Sequence, residues 1–206
     1  MSFIEKPKEE KPSFEPANGD GDILGQIKDF IWETIKVVVF SLAIILPIRY
    51  FIIQPFYVKG ASMEPNFFDH EYLVIDEISY RLGEIKRGDV IVFKYPEDPK
   101  QYFIKRIIGL PGETIKIKEG KIVIINKDHP EGFFLEEKGY LPEVYTQGDI
   151  DLLLGVNEYY VLGDNRTASL DSRVFGPIER SNIVGRAWIR GWPFNRAQIF
   201  KTPNFQ

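Results

Sequence analysis

Hydrophobic and polar positions divide the chain into three stretches. Residues 1–21 carry Pro7, Pro12 and Pro16 among Glu and Lys, with few apolar positions, and predict a disordered tail because there is too little to bury. From Asp22 the apolar residues Ile23, Ile27, Phe30, Ile31 and Ile35 recur at helical spacing, with Asp22 placed to cap. Val37–Ile48 then runs twelve residues without a charge, short for a bilayer span and compatible with a core helix or a signal-peptide core. Continuing to Ile53 gives 17 residues, roughly 25 Å of helix. Arg49 lies close enough to the end to extend its head to the interface, and Trp32, Tyr50 and Tyr57 suit interfacial belts. The 36 preceding residues hold eight acids and five lysines, unlike the short basic leader of a cleavable signal peptide. The pattern therefore predicts an amphipathic and transmembrane helix over 22–53, with the span at about 36–53; a buried core helix is the alternative. Charge leaves it unoriented, since Lys28 and Lys36 precede the span and Arg49 and Lys59 follow it.

Residues 54–206 read as a β-rich domain. Tyr72–Asp76, Val90–Phe93, Phe103–Ile108, Thr114–Lys118, Ile122–Ile125, Tyr159–Leu162 and Ile183–Ile189 are short and rich in Ile, Val, Phe and Tyr, with Gly88, Pro111–Gly112 and Gly120 as punctuation. TIKIK-EGK-IVIIN has the form of a hairpin. The polar, acidic, Gly-containing stretch 126–157 predicts an irregular excursion from the sheet. The fold class is mainly β, with one N-terminal helix.

Composition narrows the chemistry. The chain has 206 residues, 44% hydrophobic and 27% charged, a globular balance. A net charge of −4 argues against a nucleic-acid partner bound by phosphate neutralisation. Without cysteine there is no disulfide, thiol nucleophile or zinc ribbon, and two histidines nearly exclude a multi-histidine metal site. No phosphate loop, zinc motif or calcium loop occurs, so neither a metal nor a cofactor is expected.

Three constellations can carry chemistry. Ser62 lies in GASMEP, flanked by the small residues Gly60 and Ala61, a setting that lets a substrate carbonyl approach the backbone; a turn serine is the bland reading. Lys105 stands inside FIKRIIGLPG. Strand parity puts it with Phe103 and Ile107, and puts Arg106 with Tyr102, Ile104 and Ile108, so each largely apolar face carries a cation. An edge strand would let both reach water along their alkyl stems. A general base must instead be desolvated or set beside another cation, because a lysine with pKa about 10.4 is almost wholly charged at pH 7. Third, GDNRTASLDSR offers the charge pairs Asp164/Arg166 and Asp171/Arg173 to brace a loop, with Ser169 and Ser172 as small hydroxyls. A solvated polar loop is the alternative. His70 and His129 both read as loop residues and lack a local pattern for a triad.

Together these residues resemble the type I signal peptidases of bacteria. Gly60-Ala-Ser62-Met63-Glu-Pro65 resembles the nucleophile box, Arg87-Gly88-Asp89-Val-Ile-Val-Phe the second β motif, Lys105-Arg106-Ile-Ile-Gly109-Leu-Pro111-Gly112 the base box, and Gly163-Asp164-Asn165-Arg166 through Ser169, Asp171, Ser172 and Arg173 the last box. Four boxes occur in order, behind a candidate anchor. The resemblance implies a compact β-rich catalytic domain on a single-pass anchor, and a serine endopeptidase that removes signal peptides from secreted preproteins. Ser62 would be the nucleophile and Lys105 the general base. Ser169 would position the Lys105 amine, and Asp164, Arg166, Asp171 and Arg173 would brace the loop. The Ser62 N–H would serve an oxyanion hole, with Arg106 beside the base. Phe56, Tyr57, Met63 and Pro65 would meet substrate or membrane. It further implies a cytoplasmic N-terminus, an extracytoplasmic catalytic domain, and a bilayer and preprotein signal peptides as partners, with no obligate protein partner. Gly60 departs from members with a hydroxyl at that position, Asn66 stands where threonine is usual, and Glu113 where aspartate is usual. Two other readings are a self-cleaving serine–lysine protease of the SOS-repressor kind and a catalytically dead binding domain.

Overall fold

The computed structural model describes residues 20–51, 54–78, 80 and 83–203. The expected tail lies almost wholly outside them. Helix α1 (Asp20–Phe51) is continuous from the periodic segment into the apolar run. Its part up to Leu46 and the domain from Pro47 onward form separate compact units. Among the described residues no helix is long and apolar enough to cross a membrane. The expected span over 36–53 runs through 47–50, whose side chains lie outside the description, and ends on residues 52 and 53, which also lie outside it.

Among the described residues the domain holds two sheets. Its strands are β1 (Gln54–Tyr57), β2 (Tyr72–Asp76), β3 (Val90–Tyr95), β4 (Asp98–Gly109), β5 (Thr114–Lys118), β6 (Lys121–Ile125), β7 (Phe133–Phe134), β8 (Ile150–Leu153), β9 (Glu158–Leu162), β10 (Ile178–Glu179), β11 (Ile183–Trp192) and β12 (Gln198–Ile199). An eight-stranded sheet runs β1-β2-β11-β3-β4-β9-β10, with β12 paired to β11; a four-stranded sheet runs β7-β6-β5-β8. A one-turn helix α2 (Ser172–Phe175) follows β9.

Side-chain alternation explains where each strand sits. In β2, β5 and β6 every second residue is buried, the mark of strands with one covered face. In β3 the run VIVF is buried on both faces, as an interior strand requires. Val90 and Val92 pack with Met63, Phe67, Leu73 and Ile75, whereas Ile91 and Phe93 pack with Ile107, Tyr159 and Val161. A third core joins the two sheets' residues Ile108, Ile115, Ile117, Ile124, Tyr160 and Leu162. The β5–β6 hairpin turns through Glu119 and Gly120, both at positive φ (52° and 79°), which matches the twist of two-residue hairpins. The stretch expected to be an irregular excursion, 126–157, contains β7 and β8, the two edges of the smaller sheet. β1 pairs with β2 along its whole length.

Two features of this topology prepare the site. The β1–β2 hairpin is extended past the strands by Val58 N–H donating to the Glu71 carbonyl (2.8 Å) and His70 N–H donating to the Val58 carbonyl (3.0 Å). The connection between them, which contains Ser62, is thereby closed at its base. β9 pairs with β4 only at Arg106, Ile107 and Gly109, so upstream of Arg106 β4 keeps β3 on one side and has no paired strand on the other among the described residues.

Candidate active site

Ser62 and Lys105 are in direct contact. The Lys105 amine donates to Ser62 Oγ at 2.8 Å and to the Ile104 carbonyl at 2.9 Å. Lys105 is 4% exposed, so although β4 is unpaired on one side at this position, the amine does not reach water along its stem as the edge-strand alternative requires. Burial pushes its pKa down to about 8, against the opposing pull of Asp171 and Asp164. Arg106 supplies none of that lowering. Its guanidinium is turned away into a bidentate pair with Asp164, Nε to Oδ1 at 2.8 Å and Nη2 to Oδ2 at 2.6 Å, and its Nη1 donates to the Gly88 carbonyl.

The last box locks Ser62 from the opposite side. Asn165 N–H donates to the Ser62 carbonyl at 3.0 Å, and its side-chain amide donates to the Ala61 carbonyl at 3.1 Å. Gly163 lies so close that a Cβ there would meet Ser169 Oγ at 2.1 Å and the Ser62 carbonyl oxygen at 2.5 Å. Asp171, fully buried, accepts from Gly163 N–H (3.0 Å) and from Arg173 Nε and Nη2 (2.8 Å each). Burial alone would raise the Asp171 carboxyl; the Arg173 and Gly163 hydrogen bonds outweigh it and hold the group below the usual carboxylate range.

The expected bracing pairs need one correction. Asp171 does pair with Arg173, but Asp164 and Arg166 do not pair with each other. Asp164 belongs to Arg106, and Arg166 forms a two-armed pair with Glu137, with its Nε on the Gly163 carbonyl at 3.0 Å. Adjacent positions in a turn need not face one another, and buried guanidiniums take the partner that satisfies their full fork. Ser169 differs from expectation too. Its buried hydroxyl helps keep Asp171 ionised without reaching full hydrogen-bond geometry, and it makes no hydrogen bond to Lys105.

A cleft of about 470 Å³ opens beside the dyad, lined by Phe56, Tyr57, Tyr102, Phe103 and Leu170 together with Ser62 and Lys105. Phe56 and Tyr57, expected at a substrate or membrane contact, are therefore on this wall. Met63, given the same expectation, is a correction: at 1% exposure it is a core residue packed with Val58, Phe67 and Leu73. Pro65 is exposed but does not line the cleft. Gly60, at φ 92°, has open space where a Cβ would point, and its N–H donates to Asp69 Oδ1 at 2.9 Å. Neither histidine takes part. His70 pairs at the surface with Asp69, and His129 meets Phe133 edge to face.

Several contacts at the site were not legible beforehand. Asn165 was named only within the last box and Asn66 only as a departure, because their hydrogen bonds leave no pattern in the sequence. Glu137 and Tyr140 come from the polar stretch 126–157, whose composition reads as solvated loop. Glu113, noted only as a departure, pairs with Arg87 at 2.6 Å and accepts from Leu110 N–H, which stiffens the turn after β4. Among the described residues no cluster of acidic or histidine side chains has a metal-holding arrangement.

Known proteins resemble this chain over most of its length. The family model described as "Signal peptidase, peptidase S26" matches residues 31–192. "Signal peptidase I" of Leptolyngbya laminosa is 38% identical over 178 residues, covering 81% of this chain and 82% of that one. "Signal peptidase I P" of Bacillus subtilis subsp. natto is 32% identical over 178 residues, covering 84% and 96%. "Signal peptidase I V" of Bacillus subtilis (strain 168) is 36% identical over 166 residues, covering 77% and 96%. The match runs through all four boxes and most of both chains, and this chain belongs to the signal peptidase family, peptidase S26.

Proposed function

We propose that this signal peptidase removes N-terminal signal peptides from secreted preproteins with a Ser62–Lys105 dyad while anchored in a membrane. The observation that carries the reading is the 2.8 Å contact between Lys105 Nζ and Ser62 Oγ in a buried setting, with the amine's pKa near 8. The neutral amine takes the Ser62 proton as Oγ attacks the scissile carbonyl. The resulting ammonium returns that proton to the leaving amine, so the acyl-enzyme forms with no net proton lost. Water, deprotonated by the same amine, then hydrolyses the acyl group and restores Ser62. Ile104's carbonyl orients the amine during both steps. The Asn165 hydrogen bond to the Ser62 carbonyl holds the nucleophile's backbone still, so its N–H can meet the oxyanion as charge develops. Gly60 brings no side-chain donor, and its own N–H is engaged by Asp69.

The substrate segment is read as an added strand. Among the described residues β4 has no partner strand on one side next to Lys105, and the cleft there is walled by β1 and β4 residues, which suits an extended peptide bonded through its backbone. The anchor is α1 and its continuation, with the N-terminus cytoplasmic and the catalytic domain on the far side. The exposed apolar residues Val37, Val38, Val39 and Phe40 support lipid as their neighbour.

The test is cleavage of a preprotein by the purified full chain. Ser62→Ala and Lys105→Ala, each folded, abolish processing at the signal site. Retained processing in Lys105→Ala refutes the dyad.

A further inference from the structure

We propose that Asn66 is a positioning residue, whose side-chain amide ties the loop bearing Ser62 to the buried Arg106–Asp164 pair and so fixes Ser62 Oγ against Lys105 Nζ. The inference rests on the dyad reading above.

The loop between β1 and β2 is closed at its base, but that closure leaves its far side unconstrained. Asn165 holds the stretch around Ala61 and Ser62. Asn66 holds the return stretch. Its side-chain amide donates to Asp164 Oδ2 at 2.8 Å and to the Tyr140 carbonyl at 2.9 Å. Its main-chain N–H donates to the Met63 carbonyl at 3.0 Å, and its main-chain carbonyl accepts from Arg190 Nη2. Arg190 is 3% exposed on β11 and is itself fixed by Glu71, Nε to Oε2 at 2.8 Å.

Asp164 is the shared reference point. One carboxylate takes both arms of Arg106, the neighbour of Lys105, and the amide of Asn66, and it adjoins Asn165, which grips Ser62. The strand of the base and the loop of the nucleophile are thus referred to a single buried group. Asn66 lies away from the substrate cleft, on a second cavity of about 320 Å³ that it lines with Arg106 and Tyr140. Removing its amide leaves the cleft wall unchanged and loosens only the alignment.

The test measures kcat and KM of the full chain in detergent, on a peptide with small residues before the scissile bond, well below the melting transition of each variant. Asn66→Ala lowers kcat by roughly ten- to a hundred-fold, the scale of an ångström-level misplacement. KM and the pH midpoint of activity stay unchanged. Asn66→Asp, equal in size, sets a carboxylate against Asp164 and lowers kcat further. Arg190→Lys keeps a cation for Glu71 but shortens the arm to the Asn66 carbonyl, and gives a smaller loss of the same kind. If either Asn66 variant fails to fold, the other and Arg190→Lys carry the test. Unchanged kcat in the folded variants, or a rise in KM with kcat intact, overturns the inference. Ser62→Ala serves as the control: activity surviving there overturns the dyad reading and this inference with it, whereas an inactive Ser62→Ala beside fully active Asn66 variants overturns this inference alone.

Discussion

On the proposed mechanism, Lys105 is the residue at which folding and chemistry oppose each other. In water its amine titrates near 10.5, and in the fold near 8. Below about pH 8 the group is protonated in both states, and the folded state bears the whole penalty, roughly 3 kcal/mol at 1.36 kcal/mol per unit. Between pH 8 and 10.5 the folded amine is neutral while the unfolded one is still charged, so the penalty shrinks; above that range it is gone. Lys105→Met is therefore expected to stabilise the fold at pH 7 by up to about 3 kcal/mol, with the gain fading by pH 10.5. Denaturant unfolding at the two pH values checks this, and an equal gain at both contradicts it. Lys105 was legible in the sequence because a cation on an apolar strand is an exception that requires a cause. The partner of Arg106 was not. Strand parity says which way a side chain points, but not that Asp164, far along the chain, waits there.

At the scale of elements, the site is made where β9 stops. Its last pair with β4 is Leu162 opposite Arg106, and the chain then turns through Gly163 against the Ser62 carbonyl. Only a residue without Cβ fits there, because the carbonyl is already held by Asn165 and cannot retreat. Gly163→Ala is expected to cost about 1–3 kcal/mol by overpacking. It should also lower kcat on the order of 100-fold by displacing Ser62. Thermal unfolding together with steady-state kinetics measures both; a stable, fully active variant would contradict the contact. The longer strands were readable from their alternation of Ile and Val with polar residues. β7 and β8 were not, since two to four residues inside a polar, Gly-containing stretch carry too short a period to register. The pairing of β5 with both β6 and β8 that makes them a sheet is a long-range event.

For the whole molecule, the helix and the catalytic domain present separate physical problems. Among the described residues, three hydrophobic cores and buried ion pairs at the site hold the domain together. The helix exposes a run of apolar side chains that water does not favour. The full chain is accordingly expected to stay with membranes through an alkaline wash, and release into the supernatant would contradict the anchor. Orientation was not legible, since the flanking charges balance. The proposed chemistry, though, rests on the dyad. The pH dependence of kcat/KM for the full chain, with the Lys105 amine titrated in parallel on the same protein, tests it. Activity is expected to rise with pH as the amine loses its proton, with a common midpoint near 8 and a plateau above it. Full activity at pH values where the amine is still wholly protonated would mean that some other group takes the proton from Ser62.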